Sequence, residues 1–311
     1  MVFLRALPCK PVSFIRLFSS HPVSRQISPF ARRLFKIPTA PSAPSQNHHD
    51  LPSFLSYAER TTLPEASTTY VGTHYEYTVL KSLRRFAFDL HRVGGRDDAG
   101  IDLVGTWHVP GQEYAPLRVV IQCKALKTKL GPNLVRELEG AFRHSPVGWR
   151  TMDKLAILVS PREATKGVRD TLRRSTYPLF WIMMDCDGVI RQVLWNPKAG
   201  EMGLAPLRVD MRYSRVSSAT DEPTQPEAVL TWNEAELMGM ECLEKGISRK
   251  EAEWLALWGC EDSSYAAKSA LLEMVEATFP DINPGAADYE QEALFTKKAE
   301  FLALLKEKFA R

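Results

Sequence analysis

The sequence predicts an α/β fold, with a mixed central sheet flanked by helices and an all-α C-terminal extension. The main evidence is the order of periodic segments between residues 69 and 195: a helix, three strands, then alternating helices and strands. Beyond residue 229, apolar residues recur at helical spacing. Hairpins give antiparallel pairs and helical crossovers give parallel ones, so the sheet is predicted to be mixed.

The first half of this region predicts one helix and three strands. The helix begins at Thr69 or Thr73, either of which can cap it, and ends near Phe86. The Gly94-Gly95 pair then predicts a turn between the first two strands. The predicted strands are residues 89–93, 101–109 and 117–124, of which the last two pair as a long hairpin.

The second half of the region predicts two helices and three further strands. Gly131-Pro132 breaks the chain before the first of these helices, and Asp187-Gly188 forms a turn between the last two strands. The predicted helices are residues 133–143 and 163–174, and the predicted strands are residues 155–160, 179–185 and 189–195.

Composition divides the chain into four parts. They are a presequence with a disordered junction (1–47), an α/β domain (53–212), a linker rich in Ser, Thr, Pro and acids (213–228), and an acidic helical region (229–311). In the last part, Ser248 and Glu251 have the spacing of a capping box, and the tryptophans are predicted to be core. The predicted C-terminal helices are residues 233–245, 248–260, 264–278 and 289–309.

The formal net charge of +3 conceals a gradient along the chain. Residues 1–49 carry seven Lys or Arg and no acid, residues 50–220 carry 24 basic and 18 acidic residues, and residues 221–311 carry 9 basic and 19 acidic residues. The middle therefore suits a polyanion and the tail repels one. The five cysteines show no CxxC pair, and no apolar run reaches the ~18 residues of a membrane span.

The first 47 residues are typical of a mitochondrial presequence. They are rich in Arg and Ser, free of acid, and contain the apolar-basic stretch Val12–Phe18. A chloroplast transit peptide has a similar composition, and a basic tail that helps to hold nucleic acid is the alternative. The predicted location is the mitochondrion, with the matrix as compartment.

Polar residues replace the expected apolar ones at the facing ends of two predicted strands. Asp102 stands at the start of one strand, and Gln122 and Lys124 stand two apart at the end of the next, so both point to one face. A carboxylate, an amide and an ammonium at this place could converge on one metal ion and one phosphate. The pattern thus suggests hydrolysis of phosphodiester bonds.

These residues resemble the motif of the PD-(D/E)xK nuclease superfamily. The segment Asp98-Ala99-Gly100-Ile101-Asp102-Leu103 is followed about twenty residues later by Gln122-Cys123-Lys124. The Mrr-like branch of type IV restriction endonucleases also has Gln-x-Lys, and it opens with a helix that carries a Glu, as Gly72-Thr73-His74-Tyr75-Glu76 does here. With the N-terminal segment, the chain also resembles a fungal mitochondrial family required for respiratory growth, the seventh of its series.

The resemblance implies a restriction-endonuclease-like core and a Mg²⁺ (or Mn²⁺) site. Asp102, Glu76, Gln122 and the backbone carbonyl of Cys123 would be the ligands, and Lys124 would orient water or stabilise the phosphate. Asp98 would brace the glycine turn through hydrogen bonds to the backbone. The side chains expected to grip the nucleic-acid backbone are Arg96, Lys127 and Lys129.

The expected function is that of a mitochondrial Mg²⁺-dependent endonuclease, acting on DNA in preference to RNA. A non-catalytic protein that keeps the fold and binds nucleic acid or scaffolds an assembly is one alternative, and an RNA-processing nuclease is the other. Each residue also has a structural explanation: Asp102 as a turn cap, Lys124 as an edge-strand charge, and Glu76 as a solvent-facing helix residue. The acidic C-terminal helices are candidates for contact with a protein partner.

Overall fold

The computed structural model describes residues 27–42, 44–95, 100–112, 116–213, 226–260 and 264–278. Its helices are α1 (Pro29–Leu34), α2 (Leu51–Arg60), α3 (Thr68–Leu83), α4 (Pro132–Arg143), α5 (Lys166–Arg174), α6 (Pro197–Ala199), α7 (Met240–Leu257) and α8 (Tyr265–Thr278). Its strands are β1 (Phe88–Arg92), β2 (Leu103–Trp107), β3 (Leu117–Cys123), β4 (Lys154–Ser160), β5 (Leu179–Met184), β6 (Ile190–Trp195), β7 (Leu207–Arg212), β8 (Glu227–Trp232) and β9 (Ala235–Glu236).

Six strands form the central sheet in the order β1-β2-β3-β4-β5-β6. The first three make an antiparallel meander, β3, β4 and β5 run parallel, and β6 returns antiparallel to β5. Helix α4 connects β3 to β4 and α5 connects β4 to β5, because parallel neighbours require a crossover. The predicted mixed sheet is therefore confirmed.

Helices cover both faces of this sheet. On one face Tyr75 and Val79 of α3 share a core with Ile121 of β3, and on the other Leu138 of α4 shares a core with Val120 of the same strand. Every residue of β4 is buried, as expected of a central strand with helices on both sides. Alternate residues of β3 thus face opposite cores, which fixes the register of the strand that carries Gln122.

A second sheet corrects the prediction of an all-α C-terminal extension from residue 229. Strands β7, β8 and β9 form a separate three-stranded antiparallel sheet. In β8, Val229 and Leu230 are buried in the same core as the central sheet. The apolar run of β8 has the composition of a strand, but its main partner, β7, precedes the predicted linker. Residues 214–225 of that linker lie outside the described ranges.

The C-terminal helices also begin and end elsewhere than predicted. A single helix, α7, spans the predicted break between residues 245 and 248, so Ser248 lies inside it and caps nothing. Glu251 instead accepts hydrogen bonds from Ser28 Oγ (2.7 Å) and Lys268 Nζ (3.2 Å). Helix α8 confirms the prediction at residues 264–278, whereas the helix predicted at residues 289–309 lies outside the described residues.

The segment Ile27–Ile37 belongs to the packed structure, although the sequence predicts presequence and disordered junction up to residue 47. Its apolar side chains pack with Trp254 and Trp258 of α7 and with α8. Ser28 caps α1 through a hydrogen bond from the Ala31 N–H. The composition of the segment resembled a presequence, and its packing partners lie more than two hundred residues away. Within the described ranges, no helix is both long and apolar enough to cross a membrane.

Candidate metal centre

Asp102 directly precedes β2 at the open end of the β2–β3 hairpin, where hydrogen bonds to the backbone of β3 hold it in place. Its backbone N–H donates to the Ile121 carbonyl (2.9 Å), and its Oδ2 accepts the Cys123 N–H (2.6 Å). A short hydrogen bond from a backbone N–H to a carboxylate is among the stronger hydrogen bonds in proteins. The carboxylate is thus held across the hairpin, beside the strand end that carries Gln122 and Lys124.

Glu76 of α3 reaches the same place from the neighbouring helix. A Cβ atom at Gly94 would lie 3.3 Å from Asp102 Oδ1 and 3.3 Å from Glu76 Oε2. The two oxygens are therefore within about 6.6 Å of each other, twice that distance, and border one space beside Gly94. A glycine at this position keeps the space open, since a larger side chain would press on both carboxylates.

Arg92 is a member of this group that the sequence did not identify. Its Nε donates to Glu76 Oε2 at 2.5 Å, and the two side chains are only 13% and 12% exposed. The guanidinium also lies over the ring of Tyr77, 5.7 Å from its centre. The sequence signal that could have identified Arg92 was its place at the end of β1, two residues before Gly94. Arg92 orients Glu76 and offsets part of the negative charge of the two carboxylates.

Gln122 presents a buried oxygen without a hydrogen-bond partner. The residue is 3% exposed, and among the described residues nothing donates to its Oε1. Its amide nitrogen lies against Gly100, where a Cβ would come within 2.9 Å and where φ is +80°. A buried polar atom left unpaired costs on the order of 1–3 kcal/mol, and a hydrogen-bond donor or a cation could remove this cost.

Lys124 lies on the same strand face as Gln122 and contacts α4. Its Nζ is 3.3 Å from Glu137 Oε2, with side-chain exposures of 29% and 48%. Its backbone N–H donates to the Val159 carbonyl of β4 (2.8 Å). An exposed ion pair of this kind contributes only ~0–1 kcal/mol, so an arriving phosphate could replace Glu137 at small cost.

Cys123 lies between Gln122 and Lys124 in the sequence, and the charges near its thiol shift the pKa of that thiol. Burial raises the pKa of its thiol, the charges of Asp102 and Glu76 raise it further, and Arg92 lowers it. The thiol is therefore neutral near pH 7, and the two carboxylates both lie close enough to act on it. The N–H of Cys123 is bonded to Asp102, and ligation by its carbonyl stays a prediction.

The predicted auxiliary residues divide into two groups. Arg96 and Asp98 lie outside the described residues, so their predicted roles have no structural counterpart here. Lys127 and Lys129 are exposed on the loop that follows β3.

The donor set suits a hard divalent cation. Two carboxylates and an amide oxygen are the oxygen ligands that Mg²⁺ and Mn²⁺ prefer. The described residues contain no cluster of three or more His, Cys, Asp or Glu side chains able to hold a metal, so the amide oxygen of Gln122 would have to serve as the third ligand. The unpaired oxygen of Gln122 and the space beside Gly94 both fit a bound cation.

Comparison with known proteins connects this region to one family. The family model described as "Required for respiratory growth protein 7" matches residues 67–115 and 110–213. These residues include strands β1 to β7 and all residues of the candidate centre. No solved structure matches the chain.

Named relatives agree with that match. "Uncharacterized protein C824.03c, mitochondrial" of Schizosaccharomyces pombe is 34% identical over 158 residues, which cover 50% of this chain and 62% of the relative. "Required for respiratory growth protein 7, mitochondrial" of Saccharomyces cerevisiae (strain YJM789) is 27% identical over 175 residues, covering 43% and 72%. The protein of the same name from Eremothecium gossypii is 36% identical over 112 residues, covering 24% and 47%.

None of these descriptions names a nuclease, a metal or DNA. The predicted mitochondrial location is confirmed by the relatives, all of which are named mitochondrial. The matches support a relationship between this chain and the family of Required for respiratory growth protein 7.

Proposed function

We propose that this chain is a mitochondrial, divalent-metal-dependent endonuclease that hydrolyses phosphodiester bonds in DNA and so supports mitochondrial genome maintenance and respiratory growth. The observation that carries the proposal is the meeting of Glu76 and Asp102 beside Gly94, next to the strand end with Gln122 and Lys124. Like charges disfavour the ionised forms of neighbouring carboxylates, so a site that holds Glu76 and Asp102 together would gain from a bound cation in addition to Arg92. The names of the relatives support the link to respiratory growth.

Each side chain has a definite task in this proposal. Asp102, Glu76 and the Gln122 amide oxygen hold a Mg²⁺ or Mn²⁺ ion, which supplies charge that polarises the phosphate and acidifies a water molecule. Lys124, freed from Glu137, orients the attacking water or offsets charge on the phosphate. Arg92 holds the Glu76 carboxylate in place through its Nε–H hydrogen bond.

A second candidate function also has an observation in its favour. Arg92 already satisfies Glu76, and an amide at residue 122 provides less negative charge for a cation than a carboxylate would. A protein that retains the fold and binds nucleic acid or scaffolds an assembly, without cleavage, would fit this arrangement. An RNA-processing nuclease would use the same residues, because this chemistry does not need the 2′-hydroxyl.

The test is a cleavage assay on the purified chain. Plasmid, branched DNA and RNA are incubated with Mg²⁺, Mn²⁺ or EDTA, using wild type, Asp102→Asn and Lys124→Ala. We expect metal-dependent cutting of DNA that falls by at least about 10²-fold in both variants. Cutting of RNA alone selects the RNA-processing alternative.

Two variants serve as matched controls. Asp153→Asn removes an exposed carboxylate before β4, and Lys198→Ala removes a lysine that pairs with Glu201 at the surface (2.7 Å). Both should cut like wild type. Equal activity in Asp102→Asn and wild type, or cutting unaffected by EDTA, contradicts the proposal, and binding without any cutting selects the non-catalytic alternative.

A further inference from the structure

A cationic cleft lies between the loops that follow β3 and β4. We call it the α5 cleft, because it is lined by Lys129, Arg162, Glu163, Thr165 and Arg169 around the start of α5. Its volume is about 450 Å³. Among the described residues that line it, three are cationic and one is acidic, so the cleft favours an anion.

Both arginines of the α5 cleft are held in place by backbone carbonyls. Arg162 Nε donates to the Leu126 carbonyl (3.1 Å), and Arg169 Nε donates to the Ala164 carbonyl (2.9 Å). Within the described part of the chain, no hydrogen bond or ion pair engages their terminal nitrogens. Each guanidinium is therefore pre-oriented, with its two terminal nitrogens available for a bidentate contact with an oxyanion.

Some arginines among the described residues pair with carboxylates, whereas others, such as Arg150 and Arg208, hydrogen-bond to backbone carbonyls instead. Arg92, for example, pairs with Glu76 and is almost buried. Further paired arginines are Arg32, Arg33, Arg84, Arg85, Arg191, Arg212 and Arg249. Across the described ranges, no carboxylate pairs with Lys129, Arg162 or Arg169, although Glu163 lies in the same cleft. The positive charge of this cleft is thus not neutralised by a carboxylate of the described residues.

The fold places the α5 cleft at the same edge of the sheet as Lys124 of the candidate centre. Strands β3 and β4 are parallel neighbours, so their C-terminal ends meet at one edge of the sheet. Lys124 opens the loop after β3, and that loop adds Lys127 and Lys129 without any acid before residue 131. Thr165 Oγ1 donates to the Leu130 carbonyl (3.0 Å) and ties this loop to the start of α5.

We propose that the α5 cleft binds a backbone phosphate of the polynucleotide whose neighbouring phosphodiester lies at the metal centre. This inference rests on the proposed function and adds to it a second anchoring point. Pre-oriented arginines contact phosphate independently of base sequence, so the cleft would position the strand and leave base identity unread. The shared chemistry is the phosphodiester backbone of DNA or RNA.

The test measures binding without cleavage. Fluorescence anisotropy follows labelled duplex DNA and RNA of the same sequence in EDTA, at several salt concentrations. The cleft variant is Arg162→Gln/Arg169→Gln, and the matched control is Arg173→Gln/Arg174→Gln, which removes the same charge from the exposed C-terminal end of α5. Circular dichroism and thermal melting verify that both variants fold.

We expect the cleft variant to bind about tenfold more weakly than wild type. The dependence of its log affinity on log salt concentration should also be less steep, by about one released counterion for each lost phosphate contact. The control variant should keep the wild-type affinity and slope. A loss on DNA, RNA or both supports the cleft and identifies the polynucleotide it takes. Equal losses in the two variants, or none in the cleft variant, overturn the inference.

The cleft and the metal centre can fail separately. If Asp102→Asn cuts like wild type but the cleft variant alone loses binding, the cleft stands and the nuclease proposal falls. If cleavage depends on Asp102 and the cleft variant binds normally, the nuclease proposal stands and the proposal of phosphate binding in the α5 cleft falls.

Discussion

Replacing Arg32 by methionine is expected to reduce the free energy of unfolding by about 3–5 kcal/mol, because it leaves a buried carboxylate without its cation. Arg32 Nη2 donates to Asp89 Oδ2 at 2.7 Å, and the two side chains are only 9% and 7% exposed. Its Nη1 also donates to the Pro38 carbonyl (3.0 Å). A loss of this size is a large part of the ~5–15 kcal/mol by which most domains are stable.

The pKa of Asp89 agrees with this reasoning. Burial raises the pKa of Asp89, but a hydrogen bond from His91 and the charges of Arg32, His91 and His108 outweigh burial, so the pKa is held well below its usual range. A lowered carboxyl pKa means that the ionised form stabilises the fold. That stabilisation is present above the unfolded pKa of about 3.9 and is lost as the pH falls towards the folded pKa.

Equilibrium denaturation in urea at pH 7 measures the effect, and the adjacent arginine supplies the control. Arg33→Met breaks an ion pair with Glu273 whose side chains are 34% and 65% exposed, so it should cost only ~0–1 kcal/mol. Similar losses in the two variants would refute the reasoning. That result would mean that residues 27–37 contribute little to the stability of the α/β domain.

Three other predictions concern pH and the metal centre. Burial lowers the pKa of His108 to about 4, although the charge of Asp89 acts in the opposite direction. The free energy of unfolding should therefore fall by about 2 kcal/mol between about pH 7 and 5, because His108 is protonated in the unfolded chain over this range. Denaturation of His108→Gln should show a weaker dependence of this free energy on pH. Gln122→Met should stabilise the metal-free protein by about 1 kcal/mol in thermal melts, yet weaken Mn²⁺ binding in calorimetry, because it removes the buried oxygen. Gly94→Ala should weaken Mn²⁺ binding about tenfold or more by pressing on the carboxylates. Gly95→Ala should not, since among the described residues its Cβ would meet the Val93 carbonyl alone, at 4.0 Å. A steep profile in His108→Gln, unchanged Mn²⁺ binding in Gln122→Met, or equal losses at the two glycines would contradict these three expectations in turn.

The central sheet could be predicted because its signals are local. Two β-type apolar runs separated by the turn segment at residues 110–116 predicted the β2–β3 hairpin, and the continuous apolar run of β4 indicated a buried strand. Predicted and observed strand ends in this sheet differ by two residues or fewer. Asp102, Gln122 and Lys124 were found because polar residues at strand ends depart from that local pattern.

The remaining features depend on contacts between distant parts of the chain. The buried segment Ile27–Ile37 has the composition of a presequence, and only its contacts with Asp89 and α7 show that it is structural. Strand β8 was assigned to an all-α region, since its partner β7 precedes a long polar segment. The Arg92–Glu76 pair joins a strand end to a helix, and no spacing rule predicts it.

The most direct test of the metal centre is anomalous diffraction from crystals of the protein soaked in Mn²⁺. The account predicts a single strong peak beside Gly94, about 2.1 Å from oxygens of Asp102 and Glu76, that disappears in Asp102→Asn. An empty site at saturating Mn²⁺, or a peak that persists in Asp102→Asn, would contradict it.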